Sequence, residues 1–311
     1  MPMVEITNLR KEYKNLVAVK GLSLTLEPGD IFGFIGPNGA GKTTTIKMLA
    51  TLLDPTSGVA RVDGIDVTEH PEEVRARIGY MPDAFGVYDD FKVWEYLDFF
   101  ASAYRIPRPD RPALIDDVLE LTTLTEKKES YVEELSRGMK QRLCLAKTLV
   151  HDPKVLLLDE PASGLDPRAR IEIKELLKEL KAMGKTIIIS SHILPELADF
   201  CTSVGIIERG ELIVAGPIDA VMREVTGGRV LEIRVPPSDR PKAAEILAGV
   251  EHVRGVKEAG DMLRVDYTGT LDDQSEVLLA LIYGSVRVQS FAEQETDLED
   301  IFLRVTKGLV A

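Results

Sequence analysis

A glycine-rich stretch from Gly36 to Thr44 constrains this chain more than any other part of its sequence. It reads Gly-Pro-Asn-Gly-Ala-Gly-Lys-Thr-Thr and satisfies the pattern G-x-x-x-x-G-K-[ST]. The apolar run Ile31–Ile35 precedes it and is typical of a buried strand, whereas apolar residues at helical spacing predict a helix over residues 44–53. Strand, glycine loop and helix form the local order in which this pattern binds a polyphosphate, so the chain is expected to bind one.

The residue types of the loop fit that chemistry. Gly39 and Gly41 let the backbone approach a polyphosphate and point N–H groups at its oxygens. The helix that follows adds unpaired N–H groups and the positive end of its dipole. Lys42 is expected to reach the β- and γ-phosphates, Thr43 to hold Mg²⁺ through its hydroxyl, and Thr44 to add a phosphate hydrogen bond. The alternative is a glycine-rich strand–helix turn that binds nothing.

The composition narrows the class of protein and its partners. A length of 311 residues favours two domains rather than one. A net charge of −13 and a pI of about 4.9 disfavour binding to nucleic acid or to an anionic lipid surface, so a role at a membrane would need a protein partner.

The chain has no run of the ~20 apolar residues that cross a bilayer, and its start lacks the features of a signal peptide. Two cysteines give no disulfide framework, which fits a reducing cytosol.

The order of predicted elements indicates an α/β fold over residues 1–224. Strands alternate with helices, which implies a mostly parallel sheet covered on both faces, with an antiparallel layer near the start of the chain. Residues 11–15 are predicted to be a polar turn in that layer, and residues 193–200 a short helix. Residues 86–151 have a helical pattern of apolar residues and are predicted to be a helical subdomain inserted into the α/β core.

The remainder, residues 225–311, carries no phosphate motif and is predicted to be a small α+β domain. Helix patterns fall at residues 241–247, 276–283 and 298–306. Strand patterns fall at residues 229–235, 252–256, 262–267 and 286–291.

Two adjacent acids follow the buried-strand pattern of residues 155–158. A carboxylate at the end of a strand beside the loop strand can hold Mg²⁺, which is the role predicted for Asp159. Glu160 is predicted to be the general base that orients and deprotonates the attacking water. The alternative is an acidic pair that only caps the next element.

Three further residues carry weaker signals when they are taken singly. His192 follows another strand pattern and could sense the γ-phosphate or hold Glu160 or the water in place, although an ordinary surface or packed histidine fits equally well. Tyr13 could stack on adenine or be a half-buried turn residue. Ser136 could bind phosphate together with nearby N–H groups, or it could simply cap a helix.

The motifs, taken together and in this order, resemble those of the ATP-binding-cassette (ABC) family of transport ATPases over about residues 1–220. Residues 135–139, hereafter the signature segment, match the family signature, and Asp159-Glu160 matches Walker B. Residues 163–166, Ser-Gly-Leu-Asp, match the loop that crosses the dimer interface and are hereafter the crossing loop. The glycine-rich loop matches Walker A, and its expected phosphate-binding set is Gly36, Asn38, Gly39, Ala40, Gly41, Lys42, Thr43 and Thr44.

The resemblance implies a P-loop NTPase fold, ATP and Mg²⁺ as cofactors, and specific roles for single residues. Tyr13 would stack on adenine, and His192 would be the switch histidine. Ser136 and Gly138 would contact the γ-phosphate of ATP bound to a partner subunit. Lys42, Glu160 and His192 would be the catalytic set.

Two positions depart from the family pattern. The signature usually reads L-S-G-G-Q, but Arg137 and Met139 replace its first glycine and its glutamine here. The glutamine that usually follows the strand near Tyr80 is Asp83, whose carboxylate could bind Mg²⁺ or its water but could not donate an amide hydrogen bond.

The resemblance also implies the assembly and its location. ABC cassettes work as head-to-tail dimers, so two copies, or one copy and a homologue, are expected to pair through the ATP sites. Residues 297–304 resemble the C-terminal extension of cassettes that serve an exporter with a separate permease, and that permease would hold the protein at the cytoplasmic side of the cell membrane. We also consider a soluble cassette ATPase of DNA repair or translation and a non-hydrolysing nucleotide sensor. The acidic charge argues against the first, and Glu160 with His192 argues against the second.

Overall fold

The computed structural model describes residues 1–84, 86, 89–192, 197, 200–218, 220–221, 229–269 and 273–293. The chain divides into two compact units, Met1–Ile218 and Asp219–Ala311. The predicted helix at 298–306 and the predicted domain boundary after residue 224 lie outside the described residues, as does nearly all of the predicted helix at 193–200. In the described part of the chain, every helix is too short or too polar to cross a membrane.

The first unit contains two sheets, and the structure gives bounds for six α-helices in it. Its elements are, in chain order, β1 (Val4–Tyr13), β2 (Leu16–Leu26), β3 (Ile31–Ile35), α1 (Lys42–Leu49), β4 (Ser57–Val62), β5 (Ile65–Asp66), α2 (Pro71–Arg75), β6 (Ile78–Met81), α3 (Val93–Ala103), α4 (Arg111–Leu121), α5 (Arg137–Leu149), β7 (Val155–Asp159), α6 (Pro167–Ala182), β8 (Thr186–Ser191), β9 (Ser203–Glu208) and β10 (Glu211–Pro217).

A six-stranded sheet forms the centre of this unit, with the strand order β10-β9-β3-β8-β7-β6. Five of its strands run parallel, and β10 alone pairs antiparallel, with β9. Every residue of β3, β7 and β8 is buried, which explains their continuous apolar patterns. Because β3, β8 and β7 are neighbours and parallel, the residues that follow their carboxyl ends lie at one edge of the sheet. This is the predicted mostly parallel sheet, and it is confirmed.

A separate antiparallel sheet, in the order β2-β1-β4-β5, confirms the predicted antiparallel layer. Helix α1 packs with residues of both sheets in one hydrophobic core, through Ile46, Met48 and Leu49. Helices α3 to α5 supply the predicted helical insertion, and Val93, Tyr96 and Leu97 of α3 are buried as their spacing predicts. Helix α1 is thereby packed against strands of both sheets.

The second unit is a small α+β domain, as predicted. Its four strands form one antiparallel sheet in the order β12-β13-β11-β14, with its own core around Leu231, Leu263 and Leu281. The described elements are β11 (Arg229–Arg234), α7 (Arg240–Ala248), β12 (Val253–Ala259), β13 (Met262–Tyr267), α8 (Gln274–Tyr283) and β14 (Ser290–Glu293).

Three predicted element boundaries are wrong. The polar turn expected at residues 11–15 is only two residues long, because β1 continues to Tyr13, which pairs with Leu16. Helix α1 begins at Lys42 and ends at Leu49 rather than spanning 44–53, since Thr51 adopts a left-handed backbone with φ of 59°. The strand expected at 286–291 begins only at Ser290, because the N–H of Val286 donates to the Leu281 carbonyl and closes the end of α8 instead.

Candidate active site

The glycine-rich loop bends tightly between β3 and α1. Gly41 is the N-cap of α1 and has a φ of 112°, and Gly39 has a φ of 82°, both in the left-handed region that favours glycine. A Cβ on Gly41 would lie 2.6 Å from the Ala18 carbonyl oxygen, and one on Gly36 would overlap the Ile207 carbonyl. Backbone conformation and close neighbours therefore require glycine at Gly36 and Gly41, and the first N–H groups of α1 have no partner within the helix.

Lys42 places a buried positive charge inside the loop. Its side chain is 5% exposed, and its Nζ donates hydrogen bonds to the carbonyl oxygens of Gly36 at 2.6 Å and Pro37 at 3.3 Å. The same ammonium lies 3.3 Å from Oε1 of Glu160. The loop and its lysine are thus brought together with the predicted base Glu160, which is far from them in the sequence.

Asp159 ends β7 and is held by two hydroxyl groups. Its Oδ1 accepts hydrogen bonds from Oγ1 of Thr43 at 3.0 Å and from Oγ of Ser190 at 2.6 Å. The carboxylate is buried, with 2% exposure. Two hydroxyl donors fix its orientation toward the start of α1, where the predicted metal ligand Thr43 also lies.

Glu160 is strained and oriented by its neighbours. Its φ of 50° is unusual for a residue with a side chain, and such strain clusters at functional sites. The N–H of Glu160 donates to Ser190 Oγ at 2.9 Å, and its Oε2 lies 2.9 Å from Nδ1 of His192. Its other oxygen, Oε1, is buried and accepts no hydrogen bond from the described residues, although the Lys42 ammonium is near. A carboxylate oxygen with this spare acceptor capacity is suited to take a proton from a water.

These residues fit a magnesium–nucleotide complex better than a protein-only metal site. In the described part of the chain, no three His, Cys, Asp or Glu side chains are grouped to hold a metal ion. Mg²⁺ is usually bound by one or two carboxylates together with substrate phosphates and water. Asp159 and Thr43 offer the carboxylate and hydroxyl oxygens that such a complex needs.

Asp83 lies within the electrostatic field of the same acids. Partial burial and the charges of Asp159 and Glu160 raise the pKa of the Asp83 carboxyl, while Arg137 and His192 act in the opposite direction. Burial, followed by the charges of Asp159 and Asp83, likewise raises the pKa of Tyr80 to about 12. The predicted metal role of Asp83 stays a prediction.

The remaining predicted site residues lie on other elements. Tyr13 ends β1 and is 45% exposed, and the Lys11 ammonium lies 5.4 Å from the centre of its ring. Ser136 is the N-cap of α5, and its hydroxyl accepts a hydrogen bond from the Met139 N–H at 3.3 Å. Both the cap and the helix start agree with the sequence. The predicted contacts of these two residues with a nucleotide stay predictions.

Sequence reasoning missed the role of Ser190. This buried serine links Asp159 to the Glu160 backbone, so it positions both acids of the site. The sequence does place Ser190 near the end of an apolar strand, at a position that corresponds to Asp159 at the end of β7. Because β7 and β8 are neighbours in the sheet, Asp159 lies opposite Ser190. Strand order could not be read from the sequence alone.

Ser190→Ala is expected to lower the ATP turnover number about tenfold while changing the Michaelis constant for ATP little. The substitution removes one donor from Asp159 and the acceptor of the Glu160 N–H, and a lost hydrogen bond to a charged group costs about 1.5–3 kcal/mol. Steady-state ATPase assays check this, with Ser102→Ala on the exposed side of α3 as the control. Unchanged turnover in Ser190→Ala would contradict a positioning role.

Comparison with known proteins gives full-length relatives. Nod factor export ATP-binding protein I of Burkholderia orbicola (strain AU 1054) is 36% identical over 303 residues, which cover 97% of this chain and 96% of that protein. Linearmycin resistance ATP-binding protein LnrL of Bacillus subtilis (strain 168) is 31% identical over 306 residues, 98% of each chain. The dimeric post-hydrolysis structure of the ATP-binding cassette MJ0796 bound to ADP and Pi is similar with a TM-score of 0.63 and 25% identity, covering 70% of this chain and 99% of that one.

Two family models match separate parts of the chain. The model described as ABC transporter matches residues 19–163. The model described as the C-terminal domain of DrrA1-3-like ATP-binding proteins matches residues 216–306.

A parallel sheet that carries a phosphate-binding loop beside the buried Asp159 and the adjacent Glu160 defines a P-loop ATPase. The two proteins and two family models above make the class more specific. The chain belongs to the ATP-binding proteins of ABC transporters, of the exporter type, and its activity is the hydrolysis of ATP to drive transport.

Proposed function

We propose that this protein is the ATP-hydrolysing subunit of an exporter whose permease is a separate chain, and that it works at the cytoplasmic side of the cell membrane. Its relatives are named as ATP-binding proteins of Nod factor export and of linearmycin resistance, and they align over almost their whole length. The match to a DrrA-like C-terminal domain supports the same subgroup.

One observation carries the catalytic part of this proposal: Glu160 lies between the Lys42 ammonium and the His192 ring. Glu160 Oε2 is 2.9 Å from His192 Nδ1, and Oε1 is 3.3 Å from Lys42 Nζ. We assign Glu160 as the general base, which takes a proton from the attacking water at its less engaged oxygen. His192, whose side chain is 49% exposed, orients the Glu160 carboxylate from the solvent side.

The loop and the strand end supply binding and orientation. Backbone N–H groups of the loop and Lys42 would hold the β- and γ-phosphates, while Thr43 and Asp159 would hold Mg²⁺. The metal ion would neutralise charge on the phosphate oxygens. Ser190 keeps Asp159 and Glu160 aligned through hydrogen bonds of 2.6 and 2.9 Å. Asp83 could add a further oxygen or a water-mediated contact to the metal.

We assign Ser136 and Gly138 to the ATP bound by a second subunit, in a twofold head-to-tail dimer. A Cβ on Gly138 would meet the Ala169 Cβ at 3.4 Å, an ordinary van der Waals contact, so packing within the protomer does not demand a glycine there. A glycine at this position would leave space for the γ-phosphate of the ATP bound to the second subunit. The relative MJ0796, whose structure is dimeric with ADP and Pi, supports this assembly.

The separate permease is tested by co-purification. Tagged Glu160→Gln protein, extracted in mild detergent from its native membranes with Mg-ATP, is expected to bring along one polytopic membrane protein identified by mass spectrometry. Lys42→Ala protein treated in the same way serves as the control for ATP dependence. Recovery of Glu160→Gln without any membrane protein would contradict the transporter subunit and would favour a soluble ABC ATPase.

A further inference from the structure

The Arg137 side chain joins two segments of the protomer that the sequence separates. It is the first residue of α5, within the signature segment, and its Nη2 donates a hydrogen bond to the Ser163 carbonyl of the crossing loop at 3.3 Å. The buried Gln141, one turn further along α5, donates from its Nε2 to the Pro161 carbonyl. Helix α5 therefore holds the segment after β7 at two successive points.

The Arg137 guanidinium packs against Gly164, in the space that a side chain at this position would occupy. The crossing loop turns there with a φ of 67°. A Cβ built on Gly164 would overlap the guanidinium and would lie 2.7 Å from its Nη1. The nearest obstacle is the far end of a flexible side chain, so an alanine at this position would displace Arg137, in addition to the strain that the positive φ imposes on any side chain.

Arg137 is also in a place that helix electrostatics disfavours. A cation in the first turn of a helix opposes the positive end of the dipole, at a cost of roughly 0.3–1 kcal/mol. The first turn of α5 has no acidic residue that would offset this. A residue that violates a local rule in this way is expected to have a function.

We propose that Arg137 is a positioning residue that clamps the crossing loop onto the signature segment of its own protomer, with Gly164 as the seat of its guanidinium. The two segments then approach the partner subunit as one unit. Ser136 and Gly138 are thereby set in a fixed relation to the loop that precedes α6. This inference rests on the proposed head-to-tail dimer.

A double-mutant cycle tests the clamp. Arg137→Ala is expected to lower ATP turnover about tenfold, within the range of effects for contacting residues. Gly164→Ala is expected to lower turnover by a similar factor, because it displaces the guanidinium. In the Arg137→Ala background, Gly164→Ala should have almost no additional effect. Equal effects of Gly164→Ala in both backgrounds, or native turnover in Arg137→Ala, would overturn the proposal.

Matched controls separate the clamp from backbone strain and from loss of fold. Gly184→Ala introduces alanine at a φ of 82° with no atom within 4 Å, so it measures the strain of a left-handed alanine without a displaced side chain. Arg75→Ala removes an exposed guanidinium from α2. Both controls should keep native turnover, and thermal unfolding of all variants should show similar midpoints.

A second measurement tests the role of Arg137 through ATP-dependent dimerisation, which does not require ATP hydrolysis. In the Glu160→Gln background, Arg137→Ala should raise the ATP concentration for half-maximal dimerisation about tenfold, as measured by light scattering. An unchanged concentration would overturn the proposal. If Glu160→Gln itself stays monomeric with ATP, the proposed dimer fails, and the turnover cycle alone then decides whether Arg137 and Gly164 act together.

Discussion

Glu160→Gln is expected to bind Mg-ATP with near-native affinity and to hydrolyse it about 10²–10⁴-fold more slowly, the usual effect of removing a general base. The amide keeps the size of the side chain but cannot take the proton of the attacking water. The substitution removes the ion pair between Lys42 and Glu160, but the Lys42 ammonium keeps its hydrogen bonds to the carbonyl oxygens of Gly36 and Pro37, so it stays inside the loop. Single-turnover ATPase assays and equilibrium binding of a fluorescent ATP analogue measure the two quantities separately.

Glu179→Gln on the exposed side of α6 is the matched control for Glu160→Gln, and its turnover should equal that of the native protein. ATP should also convert the Glu160→Gln protein from monomer to dimer in size-exclusion chromatography. Fast turnover in Glu160→Gln would refute its assignment as the base and would move that role to another group near the γ-phosphate.

Lys42→Ala is expected to weaken ATP binding about 10- to 100-fold and to lower turnover by a further 10²–10³-fold. A hydrogen bond to a charged group contributes about 1.5–3 kcal/mol to binding, and loss of one fixed donor that stabilises charge in a transition state costs about 10²–10³ in rate. The Lys42 side chain is only 5% exposed, so a cation from solvent would not readily take the place of its ammonium group in the Lys42→Ala variant. Isothermal titration with ATP and a steady-state assay measure both effects.

The control for Lys42→Ala lies on the same helix. Lys47 is exposed near the end of α1, so Lys47→Ala removes the same charge without touching the loop. It should leave the dissociation constant for ATP unchanged. Equal weakening in both variants would show that the general charge of α1, rather than the placement of Lys42 inside the loop, determines ATP binding.

The sequence predicted the local parts of the site well, because those parts depend on short-range chemistry. Glycines at fixed spacing before a lysine define a phosphate loop, and the structure gives Gly39 and Gly41 the positive φ angles that this loop requires. Ser136 was recognised as a helix cap for a similarly local reason. Element boundaries were less accurate, since a strand such as β1 extends as far as its partner pairs with it.

Contacts between residues that are far apart in the chain could not be predicted from the sequence, because they depend on the order of strands in the sheet. Thr43 and Asp159 are 116 positions apart, and they meet only because β3 and β7 both flank β8. The same strand order brings Ser190 against Asp159 and His192 against Glu160.

By itself, the sequence predicted which residues have the chemistry for ATP hydrolysis. It also predicted on which kind of element most of them lie, although Tyr13 ends β1 instead of lying in a turn. Periodicity and motif spacing are local properties of a chain, so they can be recognised without knowledge of the fold. Only the tertiary structure decided that Glu160 is held between Lys42 and His192, and that Arg137 rests on Gly164. These contacts depend on strand order and helix packing, which place side chains from separate segments within hydrogen-bonding distance.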